Sequence, residues 1–377
     1  MRRAEALAVV VAVAAILVAG YLAADRGGVA PATATVTVTA ITTSTVTTTM
    51  IETETATVTT TVPEAVTTTV VETHTRVEKR VVLVDALGRT VELEKPAERV
   101  VALAPSITED VCSLGLCSRL VGVDSFSKSL PGVPSDAADV GGYWQPSSES
   151  IAGLKPDLVL ACSGVPAQEQ MTRQLEGLGV KVFFLRCDRA RSLDDIYWDL
   201  RAVAALLGEP QAADHVIESM RERVASLEER LANTTRPSVA LLVYLQENGA
   251  WVAGGGTFQD TVIDLAGGSN VFHSLYGWQM VGYEELVSRD PDYILVTGMT
   301  RADFNRTIEL MEKTPLHETK AFREGHVCVL YGAATDALNR PSPGIVDAAY
   351  LLASILHPGV VEPPERLAGN YTCLGQG

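Results

Sequence analysis

The chain has 377 residues. A single hydrophobic core stops growing at about 250–300 residues, so a chain of this length is expected to contain more than one core. Its formal net charge of −16 argues against a nucleic-acid-binding function, which needs basic surfaces, and fits a soluble exterior surface.

The first predicted element is at the N-terminus. Arg2 and Arg3 precede an uncharged apolar run over residues 6–24, which has the length that crosses about 30 Å of hydrocarbon. This pattern predicts a membrane anchor over residues 1–26, with its N-terminus in the cytoplasm and the remaining chain outside. A cleaved signal peptide is the alternative, although its apolar region is normally shorter. No cysteine lies near the run, which excludes a lipid-modified cysteine anchor.

Residues 27–78 form the second predicted segment, which is rich in Thr, Val, Ala and Glu. Such Thr-rich tracts are typical of stalks, and about 45 extended residues reach roughly 150 Å from a membrane. A strand-forming segment is the alternative, because Thr and Val favour sheets.

Three Asn-x-Thr sequences, at Asn233, Asn305 and Asn370, match the N-glycan acceptor pattern and suggest a glycoprotein.

Strand and helix patterns alternate after residue 79. A β-hairpin is predicted around Gly88, followed by short apolar strands that each lead into an amphipathic helix. This alternation predicts an α/β fold with mostly parallel sheets. The series pauses at one long helical pattern and then resumes. The predicted segments are an N-terminal α/β lobe at 79–210, an interlobe helix at 211–233 and a C-terminal α/β lobe at 234–377, with a ligand cleft between the lobes.

The cysteines lack the paired spacing of a zinc ribbon. In an exported protein an even number of cysteines favours disulfides. Six cysteines permit fifteen connectivities. We expect the pairs Cys112–Cys117, Cys162–Cys187 and Cys328–Cys373.

Several motifs carry a resemblance to a known family. The stretch from Arg99 to Glu109, the Leu154-Lys-Pro-Asp-Leu-Val sequence and its degenerate repeat starting at Arg289 resemble the periplasmic binding proteins for cobalamin, haem and iron-siderophores. The resemblance covers residues 81–358. It implies two lobes joined by one long helix, a metal chelate bound in the cleft, and delivery of that ligand to an ABC importer permease.

Within the family the sequence is most similar to cobalamin binders, and the resemblance implies a set of ligand-binding residues: Tyr143, Trp144, Trp251, Trp278, Asp336 and Arg340. Aromatic faces suit the large apolar face of a corrin. A carboxylate and a guanidinium suit its amide-rich rim. We place the tryptophans at 144, 251 and 278 in glycine-bearing loops. Core packing of the tryptophans and a local ion pair between Asp336 and Arg340 are the alternatives. A different bulky chelate, a siderophore or haem, is the alternative ligand.

The resemblance also implies that Glu149 and Glu284, one in each lobe, dock the receptor on the permease. Carboxylates in a first helical turn also stabilise the helix, which is the alternative role. The sequence contains no nucleophile elbow, zincin motif or phosphate-binding loop, and its six histidines are dispersed. We therefore expect a monomeric binding protein without catalytic residues, resident cofactor or protein-bound metal. An adhesin or a sensor is a less favoured reading.

Overall fold

The computed structural model describes residues 38–43, 49–59, 69–73, 80–298 and 303–374. The chain divides into two compact units, Met1–Arg80 and Val81–Gly377. The predicted anchor at 1–26 lies outside the described residues. No helix in the described part of the chain has both the length and the apolar character that crossing a membrane requires.

The first unit contains three strands, β1 (Val38–Thr43), β2 (Thr49–Thr59) and β3 (Thr69–Thr73). They pair in order as an antiparallel sheet. All three lie within the Thr-rich segment at 27–78. The described strands therefore agree with its strand-forming alternative, and the stalk stays a prediction.

The second unit opens with the predicted hairpin, which pairs β4 (Val81–Val84) with β5 (Thr90–Leu93). The turn is held by Asp85, whose side chain is almost fully buried. This carboxylate accepts hydrogen bonds from the backbone N–H groups of residues 87 and 89, and the Arg89 guanidinium donates to it. Gly88 occupies the turn with φ +78°, which favours glycine.

The first lobe is built on a five-stranded sheet in the order β12-β11-β6-β7-β8, and all four pairings are parallel. The strands are β6 (Val100–Ala102), β7 (Leu120–Val123), β8 (Ala138–Asp139), β11 (Leu158–Cys162) and β12 (Lys181–Leu185). A short antiparallel pair lies beside them, β9 (Gly141–Gly142) and β10 (Gln145–Pro146). The helices are α1 (Pro105–Ser113), α2 (Ser148–Gly153), α3 (Pro166–Gly177) and α4 (Leu193–Leu206).

Burial explains why these strands are apolar on both faces. Every residue of β11 is buried, because its alternate side chains pack into separate cores on the two sides of the sheet. Parallel strands also end at one edge of the sheet. The loops that follow β6, β7, β11 and β12 are therefore gathered at that edge, where ligands bind in open α/β sheets.

One long helix, α5 (Pro210–Leu231), connects the lobes as predicted. It packs on α4 of the first lobe and on helices of the second. The predicted apolar stripe lies against the core, with Met220, Leu227 and Leu231 buried. The helix is also fastened to the second lobe by an ion pair between Arg223 and Asp347.

The second lobe contains a seven-stranded mixed sheet. Its core of β13 (Ser238–Gln246), β17 (Tyr293–Thr297) and β18 (Val327–Leu330) is parallel, and β15 (Ser269–Asn270) also runs parallel to β13. Antiparallel strands β14 (Gly249–Ala253), β16 (Trp278–Val281) and β19 (Tyr371–Cys373) extend both edges. The helices are α6 (Phe258–Leu265), α7 (Tyr283–Arg289), α8 (Asp303–Glu312), α9 (Lys320–Arg323), α10 (Ala333–Asn339) and α11 (Ile345–Leu356).

The three predicted disulfides are confirmed as Cys112–Cys117, Cys162–Cys187 and Cys328–Cys373. The second is buried and joins the end of β11 to the segment that follows β12. The third joins β18 to the C-terminal strand β19, so it ties the tail to the second lobe.

Candidate functional site

The carboxyl edge of the first lobe holds the buried Tyr143. Its hydroxyl donates to the Asp188 carboxylate at 2.6 Å, and its backbone carbonyl accepts from the Gln168 amide at 2.9 Å. Gln168 also accepts from the backbone N–H of Cys162, so one buried amide connects this tyrosine to the strand β11. Only 8% of Tyr143 is exposed, so its ring lies beneath the surface and its position is fixed by these hydrogen bonds.

Two exposed aromatic residues lie next to Tyr143 at the surface. Trp144 is 66% exposed and Phe126 is 48% exposed. The Trp144 ring makes edge-to-face contacts with Tyr143 at 5.0 Å and with Phe126 at 6.4 Å between ring centroids. Two large exposed aromatic residues beside a sheet edge form an apolar patch, which is typical of an interaction site.

Two carboxyl groups, Asp124 and Asp188, lie at the same sheet edge. Burial raises the pKa of both Asp124 and Asp188, and burial together with the Asp188 charge raises the pKa of Tyr143. The tyrosine therefore stays protonated and remains a donor. Arg340 of the second lobe partly opposes the effect of burial on the pKa of Asp124, so this guanidinium lies within electrostatic range of the first lobe's edge.

The second lobe contributes Trp278 and Tyr276. Trp278 is half-buried and makes an edge-to-face contact with the buried Phe258 at 5.8 Å. Tyr276 is 61% exposed, and the Arg191 guanidinium of the first lobe lies 5.0 Å from its ring centroid. The Arg191 carbonyl also accepts from Thr261 of the second lobe at 2.9 Å. These aromatic residues therefore lie where the two lobes meet.

Two of the three tryptophans assigned to loops lie on strands instead. Trp251 is on β14, and Trp278 begins β16. The loop assignment was wrong because β14 and β16 extend one side of the sheet as an antiparallel pair, and the glycines between the two strands are confined to their connection. Trp144 does lie in the short connection between β9 and β10.

The strand register shows which face these tryptophans share. Trp251 lies opposite Tyr244 on β13 and opposite Met280 on β16. All three are exposed, and Trp278 pairs with Ala253, two residues further along β14. Side chains two residues apart lie on one face of a strand, so Trp251 and Trp278 share a face. That face carries three exposed large side chains, Tyr244, Trp251 and Met280.

Asp336 and Arg340 are four residues apart and form an ion pair, with 2.9 Å between Oδ1 and Nη2. Arg340 is also paired with Glu109 of the first lobe, with 2.6 Å between Nη1 and Oε1. Only 13% of the Arg340 side chain is exposed, against 49% of the Asp336 side chain. Burial raises the pKa of Asp336, and Arg340 opposes that rise. The local ion pair that the sequence left open is present, and it lies within a larger network across the lobes.

Three residues of this region had no role in the sequence-based prediction: Glu109, Gln168 and Asp188. Asp188 follows β12, and a carboxylate just beyond the end of a parallel strand is a signal that the sequence does contain. Glu109 belongs to the motif that carried the family resemblance, but its partners are more than 200 residues away in sequence. No local pattern indicates such a contact.

The two predicted docking residues are exposed at the starts of corresponding helices. Glu149 lies in the first turn of α2, which is capped by Ser147, and Glu284 lies in the first turn of α7. No described cation is within ion-pair distance of either carboxylate, whereas the neighbouring Glu285 is paired with Arg289. Both carboxylates are therefore available to a partner.

A surface depression of about 510 Å³ lies on the second lobe, and Thr261 is among the residues that line it. Its polar groups already have partners, since Arg236 pairs with Asp264 and Asp260 pairs with His273. None of the six predicted ligand residues lines it. Within the described residues, no three His, Cys, Asp or Glu side chains converge as a metal site would require.

Comparison with known proteins identifies related sequences and structures. The profile of a family described as periplasmic binding protein matches residues 100–333. A cobalamin-binding protein of Halobacterium salinarum is 31% identical over 281 residues, which are 72% of this chain and 73% of that protein.

Two solved structures are similar to the second unit's fold. A periplasmic heme binding protein from Pseudomonas aeruginosa gives a TM-score of 0.61 at 26% identity, covering 74% of this chain and 98% of that one. A periplasmic vitamin B12 binding protein of Vibrio cholerae gives a TM-score of 0.56, also at 26% identity, covering 69% of this chain and 97% of that one.

Proposed function

We propose that this chain, which belongs to the periplasmic binding protein family, captures cobalamin or a related corrinoid. The coarser function is established by the family: the chain is a solute-binding receptor for an ABC importer, not an enzyme, and its binding domain is extracytoplasmic.

One observation carries the choice of ligand. Both lobes contribute aromatic rings, the exposed Trp144 and the half-buried Trp278, and the second lobe adds the polar pair of Asp336 and Arg340. A corrin has a broad apolar face and a rim of neutral amides. The rings supply contact area for that face. The carboxylate accepts from amide N–H groups of the rim, and the guanidinium donates to amide oxygens.

The charges at the edge favour a neutral chelate over an anionic one. Arg340 is already paired with two carboxylates, Glu109 and Asp336, and Asp124 is close enough to sense its charge. An anionic haem or ferric siderophore would bring further negative charge to these acids. Burying like charges together is unfavourable because the interior screens them less than water does. Haem or an iron-siderophore is the second candidate, supported by the similarity to the heme binding protein of P. aeruginosa.

The remaining parts of the chain fit delivery at a membrane surface. We propose that residues 1–26 anchor the protein and that residues 27–78 form a stalk, which confines the receptor near its permease and raises its effective concentration there. Glu149 and Glu284 would then engage the permease, one from each lobe. Their exposure and lack of described cationic partners support this role, because charges at an interface rim orient partners and speed association.

A thermal-unfolding screen tests the ligand. The second unit, Val81–Gly377, has its own core and all three disulfides, so it is a suitable sample. We expect cyanocobalamin and dicyanocobinamide to raise its unfolding temperature, because a ligand that binds only the folded state stabilises it. Haem and ferric siderophores should raise it less. A rise with haem alone would favour the second candidate.

A further inference from the structure

We propose that Glu109 is a latch between the two lobes and that it positions Arg340 for the ligand. Glu109 lies on α1 of the first lobe, and its two carboxylate oxygens have different partners in the second lobe. Oε1 is 2.6 Å from Arg340 Nη1, and Oε2 accepts from the Ser342 hydroxyl at 2.5 Å. One carboxylate thus holds both ends of the segment that follows α10.

The side chains that form the latch have little access to solvent. Arg340 is 13% exposed, the Glu109 side chain is 28% exposed, and Ser342 is fully buried. A charge-assisted hydrogen bond is shorter and stronger than a neutral one, and partial burial reduces its screening by salt. Removing Glu109 would leave a largely buried guanidinium with one carboxylate partner instead of two, so the contact resists opening.

The latch differs from the other contacts between the lobes. Thr261 donates to a backbone carbonyl of residue 191, and the Arg191 guanidinium lies over the Tyr276 ring. Those contacts tolerate small shifts, because a ring face accepts a cation over a range of positions. The pairing of Glu109 with Arg340 and Ser342 restricts the arrangement of the lobes more closely, because the two carboxylate oxygens must reach two different partners at once.

The same contact fixes the orientation of Arg340. The guanidinium is planar, and its two terminal nitrogens are held from opposite lobes by Glu109 and Asp336. A guanidinium carries five N–H donors, so this arrangement leaves other donors for a ligand while fixing their direction. Glu109 is a positioning residue in this scheme, because it acts on the ligand through Arg340. This second part rests on the proposed function, whereas the latch does not.

Hydrogen exchange in the ligand-free full-length chain tests the latch. Glu109→Ala should speed backbone exchange at least tenfold across residues 333–342, because that segment loses its hold on the first lobe. The matched control is Glu176→Gln, which removes an exposed ion pair with Arg89 inside the first lobe and should leave exchange at residues 333–342 unchanged. Unchanged exchange in Glu109→Ala would overturn the latch. If that variant does not fold, Glu109→Gln keeps the shape and should speed exchange by a smaller factor.

A double-mutant cycle with cyanocobalamin tests positioning. Glu109→Ala and Arg340→Ala should each weaken binding about tenfold, and the double variant should be no weaker than Arg340→Ala alone. Additive losses would contradict action through Arg340, because a merely structural effect of Glu109 would add to the loss of the guanidinium. If the unaltered chain does not bind cyanocobalamin, the proposed ligand fails, while the exchange result still decides the latch.

Discussion

The two lobes present aromatic residues in different ways. In the first lobe they lie in connections between strands, where Trp144 contacts the buried Tyr143, whose hydroxyl donates to Asp188. In the second lobe Trp251 and Trp278 lie on the antiparallel strands β14 and β16, whose pairing in the sheet holds them. The first surface is fixed by side-chain hydrogen bonds and a disulfide, and the second by backbone pairing. The aromatic residues of the two lobes are therefore held by different means, and each set can be altered separately.

The largest effect is expected from the two residues proposed to dock the receptor, because changing them tests whether both lobes engage the permease. Reversing both charges, as Glu149→Lys with Glu284→Lys, should abolish ligand uptake by cells, because each lobe would then repel its cationic partner site. Each single reversal should reduce uptake partially. Ligand affinity of the purified double variant should be unchanged. Normal uptake by the double variant would exclude these residues from docking.

Removing the buried disulfide tests how the first lobe's edge is held. Replacing Cys162 and Cys187 together by Ala should lower the free energy of unfolding by about 3–4 kcal/mol, because the bridge closes a loop across 25 residues. Replacing Cys112 and Cys117 is the matched control, since that bridge spans a separation of 5 and should contribute only about 2 kcal/mol. Urea denaturation measures both. Equal losses would mean that loop closure is not the main contribution.

Truncating tryptophans compares the aromatic surfaces directly. Trp278→Ala should weaken cyanocobalamin binding by about 10- to 100-fold, and Trp144→Ala by about tenfold, since stacking adds to the apolar area that each ring buries. Leu178→Ala truncates another exposed apolar side chain and should leave affinity unchanged. A loss from only one lobe's tryptophan would contradict a site shared by both lobes.

The smallest effect concerns two buried carboxyls of the first lobe, Asp110 and Asp199. Burial raises the pKa of Asp199 to about 7, and burial with the neighbouring Asp199 charge raises the pKa of Asp110. The folded state then retains protons that the unfolded chain has released. The free energy of unfolding should therefore fall as pH rises from about 4, the ordinary carboxyl value, to about 7.

A neutral substitution checks the sign of this effect. Asp110→Asn should raise stability at pH 7 by about 1 kcal/mol and flatten its pH dependence, because no charge then needs burial and one Asp110 oxygen has no described hydrogen-bond partner. Asp214→Asn, an exposed position on α5, should change neither. Thermal unfolding from pH 4 to pH 8 distinguishes them. A steeper fall of the unfolding free energy with rising pH in Asp110→Asn would contradict a raised pKa of Asp110 in the folded state.

The sequence predicted the parts of the fold that local patterns determine. The interlobe helix and the parallel strands follow from periodicity and apolar runs. The three disulfide pairs were an expectation among fifteen connectivities, and the structure confirms them. The strands β14 and β16 were missed because each is short, is flanked by glycine-bearing connections and carries an exposed large side chain, Trp251 on β14 and Met280 on β16. The partners of Glu109 could not be predicted, since they become neighbours only when the two lobes are folded together.

Calorimetric titration of the second unit, Val81–Gly377, tests the central claim most directly. Cyanocobalamin should bind at one site with a Kd of about 1 µM or tighter, and haem should bind at least tenfold more weakly, because its anionic groups would meet the carboxylates around Arg340. Absence of cyanocobalamin binding by the folded protein, or tighter binding of haem, would contradict the assignment of a corrinoid ligand.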